Sequence, residues 1–248
     1  MGLVGSELLK LTSVKTTWIL TLAGLALVAV GAGFFVFESE MSGAFTGTDG
    51  QVAAAGDQIG GWSVFVLLIA LLLVTTEFRH GTIGRALQLN PSRTALLVSK
   101  AGIAIAYALL FFVLGLVIVG LMVVVTGESL SFGTQTRDAL WQGPVGLALT
   151  GVFGVALGAL LRSQVVAVSL TLVWLFLGET VINQFSPAIG RWLPFQALNS
   201  LFLSEEAMAG IPEGMVQPLE PFTALAVFIG YLLVIATAAI ALMRYRDV

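Results

Sequence analysis

The chain consists of long uncharged runs separated by short polar punctuation. Apolar residues fill 18–37, 59–76, 101–126, 141–161, 164–182 and 222–243, and Glu179 is the only ionisable acid or base inside any of them. Runs of about 18 to 25 such residues carry a helix across a hydrocarbon core about 30 Å thick. Backbone in lipid must satisfy its own hydrogen bonds, and these runs lack the alternation of a membrane barrel, so they predict helices. The predicted fold class is an all-α membrane protein with six transmembrane helices in a single transmembrane domain spanning 1–248.

The segments between the runs are unequal. Residues 39–60, rich in Gly, Ser, Thr and Ala, read as a plain loop on one side. On the other side, 77–100 is the one sizeable loop, and the turn at Arg162, Ser163 and Gln164 is minimal. Residues 183–221 are semi-apolar, with Trp192, Leu193, Phe195 and 198–203, and are broken by Pro187, Pro194 and Pro212. They read as short interfacial or re-entrant helices. Ahead of the first run, 3–17 is moderately amphipathic. Leu3, Val4, Leu8, Leu11, Val14 and Trp18 share one side at helical spacing, and Ser6, Lys10, Ser13 and Thr17 lie across from it. A helix there would lie in the membrane interface; the alternative is a charged leader whose lysines set orientation. Although Lys10 and Lys15 precede an apolar run, 18–37 is longer than a signal-peptide core.

Charge fixes the expected orientation. Cytoplasmic loops hold Lys and Arg near the membrane, and with both termini inside, Lys10, Lys15, Arg79, Arg85, Arg93, Lys100, Arg162, Arg244 and Arg246 are cytoplasmic. Only Arg137 and Arg191 fall outside, and the acids Glu38, Glu40, Asp49, Asp57, Glu128, Asp138, Glu179, Glu205, Glu206, Glu213 and Glu220 fall there or at that edge. The expected location is a membrane, crossed several times with both termini cytoplasmic.

Composition narrows the function classes. The 248 residues are 58% hydrophobic and 10% charged, with a mean hydropathy of +1.01, a profile for lipid rather than water. The net charge of −3 carries no basic block, which argues against nucleic acid as a partner. Cysteine is absent and His80 is the single histidine, so there is no thiolate metal site, cysteine nucleophile or multi-histidine centre. The lysines are Lys10, Lys15 and Lys100, none in a phosphate-cradling Gly-rich loop, so this chain is expected to bind no ATP. Proton relays and voltage sensors place ionisable groups at mid-membrane, and the runs offer none there. No internal repeat of the kind common in secondary transporters is evident.

Two features carry candidate function. The segment from Thr76 to Leu87 leaves the second run with Glu77, Phe78, Arg79, His80, Gly81, Thr82, Ile83, Arg85 and Leu87. Thr82 can cap a short helix in which Ile83 and Leu87 share a face. Such a helix is a lever for a soluble partner; the alternative is a solvated, positive-inside loop. In the fourth run, Gly146, Thr150, Gly154 and Gly158 recur every four residues. Such a small-residue stripe permits close helix approach, within the chain or against a second copy. Trp62, Trp141 and Trp192 read as interfacial anchors, and Trp174, Phe111, Phe112 and Leu114 as packing or lipid-facing groups.

Several of these residues resemble a known family. Ser6-Glu7-Leu8-Leu9-Lys10-Leu11 followed by Thr-Thr-Trp, the run from Glu77 to Ile83, Pro91-Ser92-Arg93 leading to Lys100, and Leu193-Pro194-Phe195 are similar to the permease subunits of bacterial ABC transporters of the type-2 exporter family. The resemblance covers essentially the whole chain, and Glu-Phe-Arg-His-Gly-Thr-Ile is its most specific part. It implies an interfacial elbow helix at 3–17 and a coupling helix within 80–89. It also implies re-entrant helices on the far side within 185–203. It implies a transport subunit rather than an enzyme, and export; the apolar spans with scattered Ser, Thr and Gln suit a lipophilic, drug-like, lipid or peptide substrate. A second permease copy or related permease, separate cytoplasmic ATPase subunits carrying ATP and Mg, and membrane lipid are the implied partners. An ion-gradient-driven carrier or channel and a non-transporting membrane scaffold are the competing readings.

Overall fold

The structure, a computed structural model, describes residues 14–41, 48–82, 93–125, 132–204, 208, 211 and 217–245. Its helices are α1 (Lys15–Met41), α2 (Asp49–Gly61), α3 (Val64–Arg79), α4 (Arg93–Val125), α5 (Thr134–Leu161) and α6 (Gln164–Val173). A π-helical turn (Trp174–Gly178) follows, then α7 (Glu179–Phe185), α8 (Pro187–Gly190), α9 (Pro194–Ser200) and α10 (Pro221–Tyr245). No strand occurs among the described residues. Six helical stretches are long and apolar enough to cross a membrane: Lys15–Phe37, Asp49–Arg79, Thr94–Val125, Thr134–Leu161, Gln164–Phe185 and Pro221–Met243. The chain is therefore all-helical with multi-pass membrane character.

One expectation fails outright. Residues 49–60 of the expected loop 39–60 are helical, within α2, and its Val52, Ala53, Ala54, Ala55 and Ile59 are buried. The Gly and Ala content that suggested a loop instead lets α2 pack against α1, α4 and α5. Close approach between membrane helices favours small side chains. Lys15, Thr16 and Thr17 belong to the first spanning helix; the rest of the expected interfacial helix, 3–13, lies outside the described residues.

Helix α5 is the hub, in contact with α2, α3, α4 and α10. Its glycine stripe packs within the chain, settling the alternative the sequence left open. A Cβ on Gly154 would stand 2.6 Å from the Leu67 carbonyl oxygen, and one on Gly158 2.9 Å from that of Leu71. Between them and Gly146, the Thr150 hydroxyl donates to the Gly146 carbonyl at 2.7 Å, satisfying itself inside the buried face. Phe153 carries the core further, tilted against Phe228 at 5.1 Å and edge-on to Phe195 at 5.8 Å. Phe111 and Phe112 are buried in the same core, and Leu114 is partly exposed.

The bundle has a basic end, where Arg79, Lys100 and Arg162 lie, and an acidic end holding Asp49, Asp57, Asp138 and Glu220. The contact between Phe195 and Phe153 places the start of α9 deep in the bundle. Phe153 is about 12 Å of helix from Leu161 at 1.5 Å per residue. Phe202 crowds Gly146, about 22 Å from Leu161 on the same scale, so α9 climbs from mid-bundle toward the acidic end. Residues after α7 therefore turn back into the bundle before emerging again.

Candidate functional site at the basic end

The site begins with how α3 stops. Gly81 adopts φ +64°, the left-handed conformation that costs a Cβ-bearing residue. The Gly81 N–H donates to the Phe78 carbonyl at 3.3 Å, and the Thr82 N–H to the Glu77 carbonyl at 3.0 Å. This pair of bonds is a Schellman stop, which satisfies carbonyls that the helix end would otherwise orphan. The run that carries the family resemblance is thus, locally, a helix terminator.

Glu77, in the last turn of α3, does not face solvent. Its Oε1 lies 3.0 Å from Lys100 Nζ, with the two side chains 6% and 1% exposed. The same ammonium donates to the Leu73 carbonyl at 3.1 Å. Lys100 sits two turns into α4, which starts at Arg93, so the pair ties together the two helices that flank 80–92. The expected loop 77–100 is shorter than read: α3 continues to Arg79 and α4 occupies 93–100.

Arg162 extends the tie. It ends α5 at φ 55°, and its guanidinium stands over the Phe78 ring, 5.5 Å from the centroid. Its Nη2 donates to the Leu242 carbonyl at 2.9 Å, bringing in α10. Arg79 Nη1 donates to Gln164 Oε1 at 3.2 Å, reaching the first residue of α6. The adjoining core of Ala70, Val74, Leu96, Ala104, Val155, Ala159, Ala239 and Met243 draws on α3, α4, α5 and α10.

The expected site residues thus divide. Glu77 and Phe78 are structural anchors, buried and half-buried. Arg79, His80, Gly81 and Thr82 are exposed and available to a partner. Ile83, Arg85 and Leu87, with the rest of the expected coupling helix, lie outside the described residues. Sequence reading missed Lys100 and Arg162 as members of the cluster. The available signal was a lone lysine opening an apolar run, opposite a glutamate closing the previous one.

Three acids away from the basic end, Asp49, Glu179 and Asp57, each accept from backbone N–H groups. Asp49, the first residue of α2, accepts from the N–H groups of Gly133 (2.7 Å), Gln135 (2.9 Å) and Thr136 (3.0 Å), capping α5 from another helix. Glu179 is buried, 1% exposed. It accepts from the N–H groups of Phe195 and Gln196, each at 2.9 Å, and from Trp174 Nε1 at 3.2 Å. It therefore satisfies the first turn of α9, and Trp174 is a partly exposed hydrogen-bond donor rather than a packed core group. Asp57 Oδ2 accepts from the N–H (2.9 Å) and hydroxyl (2.8 Å) of Ser204. Among the described residues no group of three or more His, Cys, Asp or Glu is arranged to hold a metal ion.

No protein-family model matches the chain, and it matches no curated protein. The likeness to type-2 exporter permeases rests on the residues of this chain alone.

Proposed function

We propose that this chain is the membrane-spanning permease subunit of an ATP-driven ABC transporter of the type-2 exporter kind, set in a bacterial plasma membrane with its basic end cytoplasmic. A separate ATPase, which holds ATP and Mg, docks on Arg79, His80, Gly81 and Thr82 and on the segment after them. The observation that carries this reading is the anchoring of that segment. Its root is joined to α4 by Glu77–Lys100, and to α5 and α10 by Arg162. A push on 80–92 is therefore delivered to several spans at once. A ligand shifts a conformational equilibrium only by its differential affinity for the two states, and ATP closing the ATPase pair supplies that difference. The spans Gln164–Phe185 and Pro221–Met243 are the least covered within the chain, 17% of each. They offer surface to lipid and to a second permease copy or related permease. Lipophilic, drug-like, lipid or peptide substrates suit such a pathway.

The exposed Arg79 is the residue to test. Arg79→Ala, reconstituted with the partner ATPase, is expected to retain insertion and to lose coupling, with ATP hydrolysis continuing and transport reduced about tenfold or more. Normal transport by this variant would remove the docking assignment. The absence of a stoichiometric ATP-binding protein from the gently solubilised complex would remove the transporter reading itself. One observation favours the carrier alternative: Asp57 lies inside the Asp49–Arg79 span and lines a cavity. Ion-dependent flux by the purified chain in liposomes without any ATPase would select it.

A further inference from the structure

At the acidic end, α2, α4, α5 and the residues following α9 enclose a cavity of about 830 Å³. Its walls are mainly apolar, with Phe112, Phe132 and Phe202 among them. Onto them α5 projects a polar stripe, Gln135, Asp138 and Gln142, at the three- and four-residue spacing that keeps side chains on one helix face. Asp138 accepts from Trp141 Nε1 at 3.1 Å, whereas the two glutamine side chains are not spent on described bonds. Gln142 is 8% exposed and makes no hydrogen bond among the described residues, and Gln135 Oε1 is buried without a donor. Buried polar atoms normally have partners, so the Gln142 amide lines the cavity with bonding capacity in hand, while Gln135 Oε1 is covered by protein. Asp57 adds a carboxylate whose Oδ2 is held by Ser204 and whose Oδ1 accepts no bond from the described residues. Asp138 and Glu220 bring two further carboxylates, and no described lining residue is Lys, Arg or His.

The geometry points to a binding site for a lipophilic amine in its protonated form. An ammonium donates to Asp57 Oδ1 and to the Gln142 amide oxygen, and an aromatic or aliphatic body packs on the phenylalanines. A carboxylate-bearing ligand of the same body meets three carboxyl groups and no described cationic side chain. Aromatic faces add attraction for the cation. The cavity also has two empty walls suited to a blocking test: a Cβ on Gly56 or Gly120 meets nothing within 4 Å, so a larger side chain enters the cavity without disturbing the backbone.

The test uses the purified full chain in phosphatidylcholine nanodiscs near neutral pH, with empty discs subtracted. The probes are propranolol, a naphthyl secondary ammonium, and naproxen, a naphthyl carboxylate. Saturable binding of about one propranolol per chain is expected, with none of naproxen. Asp57→Asn weakens binding by about tenfold or more, the scale of one lost charge contact. Gln142→Leu weakens it severalfold, and Gly120→Leu abolishes it while the protein stays monodisperse. Asp138→Asn, whose described bond is the one from Trp141 Nε1, repeats the charge test if the Asp57 variant misfolds. Binding absent above empty discs, equal binding of naproxen, or unchanged binding to Gly120→Leu each overturns the assignment. Phosphatidylethanolamine added to the discs separates the sources of the ammonium. Competition assigns the site to a lipid headgroup, and its absence to a free amine. The measurement needs no ATPase, so its outcome is independent of the transporter reading.

Discussion

Removing one member of the Glu77–Lys100 pair strands the other charge where water does not reach. The cost of such a change is about 3–5 kcal/mol, whereas replacing both members with apolar groups of similar size is often neutral. Glu77→Leu and Lys100→Met singly are thus expected to lower the melting temperature strongly in detergent, and the double variant to recover most of the loss. Additive losses in the double-mutant cycle would show that the two side chains do not interact. At Gly81 the test is finer, since nothing lies within 4 Å of a Cβ built there. Gly81→Ala meets only the left-handed backbone penalty, about 1 kcal/mol, and a Gly81→Asn variant is expected to fall between the two, because Asn tolerates that region. The sequence made Glu77 and Arg79 visible as charges at a membrane boundary. It could not separate them, because one is buried by a lysine two turns into the next helix and the other faces solvent.

Helices were legible where lipid dictates their composition. Among the described residues the six apolar runs are helical apart from the turn at Trp62 and Ser63, since an unsatisfied backbone in hydrocarbon leaves a long uncharged run little alternative. Helix α2 escaped because Ala and Gly are common to loops and to closely packed helices, and the distinction lies in neighbours that a single sequence does not display. The stripe on α5 shows the same logic resolved. Gly154→Leu would drive a side chain into the Leu67 carbonyl and Ala70. Overpacking of this kind costs about 1–3 kcal/mol or more, so poor expression and a lower melting temperature are expected, whereas Gly102→Leu, with nothing within 4 Å, leaves both unchanged. Glu179 is the corresponding case for α9. Glu179→Ala removes the acceptor for two partly buried N–H groups, each costing up to about 1–3 kcal/mol when unsatisfied. It is expected to release the segment around Pro194, seen as faster amide exchange of residues 195–202 and normal exchange in α5. A uniform rise across the bundle would instead mean that Glu179 supports the whole fold.

For the whole molecule, charge sorting between the two ends predicts orientation, and cysteine accessibility checks it. A cysteine introduced at His80 is expected to react with a membrane-impermeant maleimide only in inside-out vesicles, and one at Thr134 only in intact cells. The reverse pattern would invert the topology. Span number and end-to-end polarity were readable because they depend on composition along one dimension. The clusters at either end were not, because they join residues far apart in the chain: Glu77 with Lys100, Phe78 with Arg162, Asp57 with Ser204. The cap that Asp49 places on α5 has a consequence in time. Its carboxylate and the amides it satisfies are 84 residues or more apart, so during synthesis α2 enters the membrane well before its partner exists. Until the ribosome has passed Thr136, Asp49 has only water or lipid headgroups to bond. Closure of that contact therefore marks the moment when the first half of the chain is locked to the second, and an Asp49 variant should accumulate as a loosely assembled, protease-sensitive form rather than fail to insert.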